Sequence, residues 1–214
     1  MPAGCMLHSR VRQVLIFLSD TVMDAARPTD LAALDRSSLE DVLAARGVER
    51  FRARQVFRWI WKHGVTDVAQ MTNLGRDLRE TLARETVIGT PVIDQRDVSV
   101  DGTTKFVLRL HDGRRIESVY IPDTPAQTFC ISTQVGCAMA CAFCLTGRMG
   151  LVRHLTAGEI AGQARVLADA LGLLGTPINI VLMGMGEPLH NYDATMQALR
   201  ILTDADGLAI PARR

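Results

Sequence analysis

At 214 residues, 48% hydrophobic and 22% charged, the chain has the length for one large domain or two small ones and the composition of an ordinary soluble protein. No apolar run approaches a membrane span, and the five apolar residues Val14–Leu18 after Arg10 and Arg12 make too short a core for a signal peptide, so a cytoplasmic setting with reduced thiols is expected. The net charge of +1 conceals an asymmetry: residues 46–62 carry six basic side chains against Glu49 alone, leaving the remainder at −4.

Residues 1–33 show no clear periodicity and read as a weakly ordered leader, in which Met23 is an alternative start. Helices are predicted over Ser37–Ala45, after the capping residues Asp35 and Ser37, then over Arg52–His63 and Leu74–Glu85. They define a helical part at 34–90, ended by Pro91. In the second helix Val56, Phe57, Ile60 and Trp61 form one apolar stripe, with Arg58 and Trp59 off it. Its basic side chains suit either nucleic-acid phosphates or a solvated helix face, and charge alone does not separate the two.

A hairpin is predicted from Thr103–Leu110 and Arg115–Ile121 around the turn His111-Asp112-Gly113-Arg114. From Thr128 the pattern alternates strand and helix: Phe129–Thr133, a helix opened by the capping box of Thr156 and Glu159 and running to about Leu174, the buried strand Ile178–Met183, and a helix over Asp193–Thr203 with Asn191 as its cap. Such spacing predicts parallel βαβ units, whose ligand loops follow the strand C-termini.

Two loops there are chemically suggestive. In VGCAMACAFC the spacing Cys137-x3-Cys141-x2-Cys144 groups three thiols within eight residues. Three thiolates suit an iron–sulfur cluster with one iron open to a small molecule; a Cys3His zinc site with His154 is the alternative, without the usual paired knuckles. The second loop is Gly184-Met185-Gly186-Glu187-Pro188. Its glycines permit close backbone approach and Glu187 offers a carboxylate to an amino group, although a Gly-x-Gly turn can also be structural punctuation.

VGCAMACAFC followed by VLMGMGEPLHNYD resembles the radical S-adenosylmethionine RNA methyltransferases that methylate C2 of adenine in 23S ribosomal RNA and transfer RNA. FRARQVFRWIW resembles that family's helical RNA-binding part, and DGTTKFVLRL with RRIESVYIP its hairpin, so the likeness covers residues 34–214. The resemblance implies an α/β fold: a partial (βα) barrel of the radical S-adenosylmethionine type at 91–214, including the hairpin, preceded by the helical domain. It implies that Cys137, Cys141 and Cys144 hold a [4Fe–4S] cluster and that Gly186 and Glu187 contact S-adenosylmethionine. Glu117 matches the family's proton acceptor. Alternation places it with Val119 and Ile121, on what would be an apolar face where a carboxylate is costly and its pKa raised; taken without the family, it reads as an edge-strand glutamate reaching water.

Cys130 matches a cysteine that frees the product through a transient disulfide with a second, methyl-carrying cysteine; taken alone, it reads as a small buried hydrophobe. Cys5 matches nothing. The implied partners are 23S rRNA, tRNA and a flavodoxin-like reductant protein, with no membrane and a monomeric state. The sequence ends at Arg214 after two βα units, and no cysteine in it fills the carrier role, so a truncated barrel without methyl transfer of its own is expected. The alternatives are a methyltransferase directed to C8 of the same adenine and a non-catalytic RNA-binding iron–sulfur or zinc module, the latter having no use for Glu117 and Glu187.

Overall fold

The computed structural model describes residues 28–122 and 127–212; Cys5 and Met23 lie outside them. A short strand β1 (Thr29–Asp30) and a 3-10 turn at Leu31–Ala33 precede helix α1 (Arg36–Ala44), which Asp35 caps through Ser38 N. Leu31 and Ala32, at the end of the stretch read as a leader, are fully buried, so order begins earlier than periodicity suggests. Two residues of strand and one turn are too short to leave a periodic trace. Helix α2 (Arg50–Trp61) buries Ala53, Val56, Phe57, Ile60 and Trp61, the predicted stripe, and leaves Arg58 exposed. Helix α3 (Arg76–Glu85) leads into β2 (Thr86–Val87), which lies parallel to β1.

The sheet that follows has five strands, β3 (Val92–Val98), β4 (Thr104–Arg109), β5 (Arg115–Ile121), β6 (Gln127–Cys130) and β9 (Ile178–Val181), adjacent in that order. Pairing is antiparallel from β3 to β6 and parallel between β6 and β9. The predicted hairpin is therefore continuous with the sheet, and the parallel βαβ pattern covers one strand pair. Strand β3 was not anticipated. Its side chains are mostly exposed and its centre reads Asp94-Gln95-Arg96-Asp97, so it carries no alternating apolar signal.

Between β6 and β9 the chain runs through β7 (Gln134–Gly136), α4 (Leu145–Arg148), β8 (Leu151–His154) and α5 (Ala157–Ala170). The expected capping box opens α5: Thr156 Oγ1 accepts from Glu159 N at 3.2 Å and Glu159 Oε2 from Thr156 N at 2.9 Å. Small residues let α5 sit close to its neighbours. A Cβ on Gly158 would stand 2.9 Å from Ala33 N, and one on Gly162 3.0 Å from Pro91 Cδ. Helix α6 (Tyr192–Thr203) begins after Asn191, whose side chain makes no cap bond but donates to Thr133 O at 2.8 Å and Leu155 O at 2.9 Å.

One hydrophobic cluster joins Leu39, Phe57 and Trp61 of the helical part to Phe106, Phe129, Leu167 and Ile201 around the sheet. Polar ties reinforce the junction. The buried Arg165 guanidinium lies 5.0 Å from the Trp61 ring and donates to Gly89 O and Thr90 Oγ1, and Arg54 pairs with Asp206 at 2.5 Å. No helix among the described residues is long and apolar enough to cross a membrane.

Candidate active site

The cysteine loop departs from β7 at Gly136. There φ is +75°, and a Cβ would collide with the Gly150 carbonyl oxygen, so only glycine lets the strand turn out. Cys137 N–H then donates to Gly150 O at 3.0 Å, and Cys144 N–H to Cys141 O at 3.0 Å. The three thiols are free and differ in exposure, with Cys137 buried, Cys144 half-buried and Cys141 exposed. Among the described residues, no three His, Cys, Asp or Glu side chains converge on one point as a single metal ion requires. His154, the fourth ligand of the zinc alternative, is instead held beside Gln134 Nε2 at 3.1 Å and packs on His190 with ring centroids 5.1 Å apart. Phe143, Leu145 and Met139 stand exposed around the loop.

The Gly184–Pro188 loop is laced to the bend between β6 and β7. Met185 O accepts from Thr133 N at 2.8 Å and Gln134 N at 3.2 Å, Gly184 N donates to Ile131 O at 3.2 Å, and Glu187 N donates to Gln134 Oε1 at 2.9 Å. The glycines are needed for this closeness. A Cβ at Gly184 would stand 2.7 Å from Ile131 O, and one at Gly186, where φ is +104°, 2.8 Å from Gln134 N. Glu187 Oε1 accepts from Leu189 N at 3.0 Å and caps the following turn. Its Oε2 has no partner among the described residues.

Glu117 is not on a buried face. The buried side chains of β5 are Ile116 and Ser118, of which Ser118 bonds Gln163 of α5, while Glu117 is 52% exposed and pairs with Lys105 Nζ at 3.4 Å. Alternation was read correctly, but α5 covers the opposite face from the one expected to be apolar. Glu117 instead lines a cleft of about 270 Å³ with Val107, Leu145, Thr146, Met149 and Met185, which joins β5, the helix after Cys144 and the glycine loop. Cys130 closes the β6 ladder, opposite Val119 on one side and Val181 on the other. Half-buried, its thiol is pushed up in pKa by desolvation, against a hydrogen bond with the Met183 backbone.

The basic segment is partly committed. Arg54 is tied to Asp206 and Arg52 Nη1 bonds Gln55 Oε1 and Asn73 O, whereas Arg58 borders a cleft with Trp59, His63 and Asn73. Ser132, Gln134 and Gln163, which organise the site from beneath, were missed at the sequence level. No local pattern marks them, because their burial and their bonds to distant segments arise only on packing.

The family model described as the ribosomal RNA large subunit methyltransferase N-terminal domain matches residues 29–88. A dual-specificity RNA methyltransferase RlmN of Paracoccus denitrificans is 44% identical over 199 residues, covering 86% of this chain and 51% of its own length. Its counterpart in Pelobacter propionicus is 46% identical, covering 87% and 52%. The crystal structure of a radical SAM methyltransferase from Sphaerobacter thermophilus superposes with a TM-score of 0.80 at 43% identity, covering 87% of this chain and 55% of that one. The chain spans about half the length of the curated relatives it matches. Over most of its length the chain is thus closely similar to about half of the dual-specificity RNA methyltransferases RlmN and of a radical SAM methyltransferase of known structure.

Proposed function

We propose that the protein methylates C2 of adenine in 23S rRNA and tRNA, with Cys137, Cys141 and Cys144 holding a [4Fe–4S] cluster and Gly186 and Glu187 contacting S-adenosylmethionine. The observation that carries this reading is the cleft where Glu117, Met185 and the helix after the cysteines meet. The donor set fits a cluster. Each thiolate of a cubane ligates a different iron, so the sulfurs stand apart, and three thiols that do not converge on one ion suit it better than zinc. When bound, the cluster and S-adenosylmethionine supply one-electron radical chemistry.

The chain's own residues orient and exclude. Glu187 offers Oε2 to a cationic amino group while Oε1 stays fixed by the Leu189 amide. Glu117, in an open cleft beside Lys105, is an acceptor for the proton leaving C2, its access to the cleft replacing the buried setting expected from sequence. Cys130, at the C-terminal end of β6, would serve product release, and the sheet would be the opening part of a (βα) barrel. The helical part, through Arg58 and Lys62, would meet RNA phosphates. A monomer reduced by a flavodoxin-like protein completes the proposal.

Two measurements test it. Anaerobic reconstitution of the chain should load about four irons and four sulfides, lost in Cys137→Ala, Cys141→Ala and Cys144→Ala and kept in Cys5→Ala. Protein expressed from the complete reading frame should form C2-methyladenine, and Glu117→Ala should abolish it. Stoichiometric zinc without iron, or methylation untouched by Glu117→Ala, would refute the respective assignment.

A further inference from the structure

The backbone ladders of β6 stop at Cys130 on both sides, opposite Val119 and Val181. Beyond it the backbones of Ile131, Thr133 and Gln134 still bond the 181–185 segment, but the link to β5 passes to side chains. Ser132, fully buried at the bend after β6, is the centre of that substitution. Its hydroxyl lies 2.6 Å from Glu117 O and 2.8 Å from Met185 N. A carbonyl can only accept and an amide N–H can only donate, so the roles are fixed: the Ser132 proton goes to Glu117 and its lone pair receives Met185. The same oxygen thus joins the main chains of two residues whose side chains line opposite parts of the cleft.

Ser132 is itself anchored. Gln163 of α5, also fully buried, accepts from Ser132 N at 2.8 Å and donates to Ser132 O at 2.8 Å through its amide, while its Oε1 also accepts from Ser118 Oγ at 2.8 Å. Each hydrogen-bonding group of Ser132 is therefore used: the hydroxyl joins β5 to the glycine loop, and the backbone is held by α5. The arrangement also leaves no room at Gly184, where a Cβ would stand 2.8 Å from Ser132 Oγ. A group this buried and this fully committed resists displacement, because breaking one bond strands a donor or acceptor away from water.

We propose that Ser132 is a positioning residue that sets the spacing between Glu117 and the Met185–Glu187 loop, with Gln163 as its anchor. The inference rests on the reading of Glu117 as proton acceptor and of the loop as cofactor-binding. It assigns Ser132 no contact with substrate; the residue acts through the backbone of both walls.

Amide hydrogen exchange on the chain without cofactor tests the coupling directly. In Ser132→Ala, Met185 loses its acceptor, and exchange across residues 183–187 should rise on the order of tenfold. Amides of α2 and α5 should keep wild-type protection, and Ser132→Thr, which retains the hydroxyl, should stay within about threefold of wild type in the loop. In iron-loaded chain, Ser132→Ala should weaken S-adenosylmethionine binding by on the order of tenfold at unchanged iron content. Unchanged loop exchange in Ser132→Ala overturns the proposal, as does a rise shared equally by α2 and α5, which would make Ser132 a general support of the fold. If wild-type chain binds no S-adenosylmethionine, the proposed function fails while the exchange measurement still decides the role of Ser132.

Discussion

Gln134 Oε1 accepts the Glu187 backbone N–H at 2.9 Å, so the residue three places before Cys137 holds the carboxylate-bearing loop. That bond commits the other end of the amide. Gln134 Nε2 lies 3.1 Å from His154 Nδ1 and 3.3 Å from His190 Nδ1, and an NH2 group can only donate. Both imidazoles therefore present Nδ1 as an acceptor and carry their proton on Nε2.

Imidazole nitrogen shifts read this directly. At neutral to mildly alkaline pH, His154 and His190 should both show the Nε2–H tautomer. In Gln134→Glu the new carboxylate has no proton to give, so Nδ1 of at least one ring should become protonated. Identical spectra in wild type and variant would mean that the amide does not organise the pair.

Asp112 gives a pH dependence of known sign. The hydrogen bond from Arg153, 2.7 Å long, lowers its pKa from 3.8 to about 2 in the folded chain. Folding is thereby favoured above pH 3.8, and the contribution is lost as pH falls through about 2. Because Arg153 also bonds both oxygens of Glu159 at 2.8 Å, the pair ties the hairpin turn to the start of α5. Thermal unfolding should show a shallower loss between those two pH values in Asp112→Asn than in wild type; parallel curves would remove Asp112 from the acid response.

The basic helix should respond unevenly to charge reversal. Arg58→Glu and Lys62→Glu should each weaken RNA binding and reduce the slope of log affinity against log salt by about 0.7–0.9 per lost phosphate contact. Arg54→Glu should act instead through repulsion of Asp206, lowering thermal stability with a near-normal salt slope. A salt slope in Arg54→Glu as reduced as in Arg58→Glu would show that Arg54 leaves Asp206 for RNA.

Gly136 and Gly113 separate two costs of a side chain. Both have positive φ, +75° and +81°, but nothing lies within 4 Å of a Cβ at Gly113, whereas one at Gly136 meets the Gly150 carbonyl. Gly113→Ala should cost about 1–2 kcal/mol, the left-handed backbone alone. Gly136→Ala should exceed it in chemical denaturation and should also lower the iron retained per chain. Equal costs at the two positions would mean that the Gly136 bend relaxes without consequence.

Local chemistry was legible in the sequence because its causes are local. The Asp112-Gly113 turn, the capping box of Thr156 with Glu159 and the stripe of Val56, Phe57, Ile60 and Trp61 each follow from residues within one or two turns of one another. The cysteine spacing and the Gly-Met-Gly-Glu loop were equally plain, and the structure brings the second loop against the bend that leads to the first. The rest depended on which face is covered. Alternation in β5 separates Glu117 from Ser118 but does not state which side a helix will occupy; α5 chose Ser118 because Gln163 bonds it there. Likewise Arg54 looked like a free cation until residue 206, 152 positions away, supplied its partner. Sequence determined the main helices, the hairpin and the reactive groups, since these are set by periodicity and side-chain chemistry. Only the tertiary structure decided the burial of Ser132, the exposure of Glu117 and their connection through one hydroxyl, because burial and long-range hydrogen bonds exist only once distant segments pack.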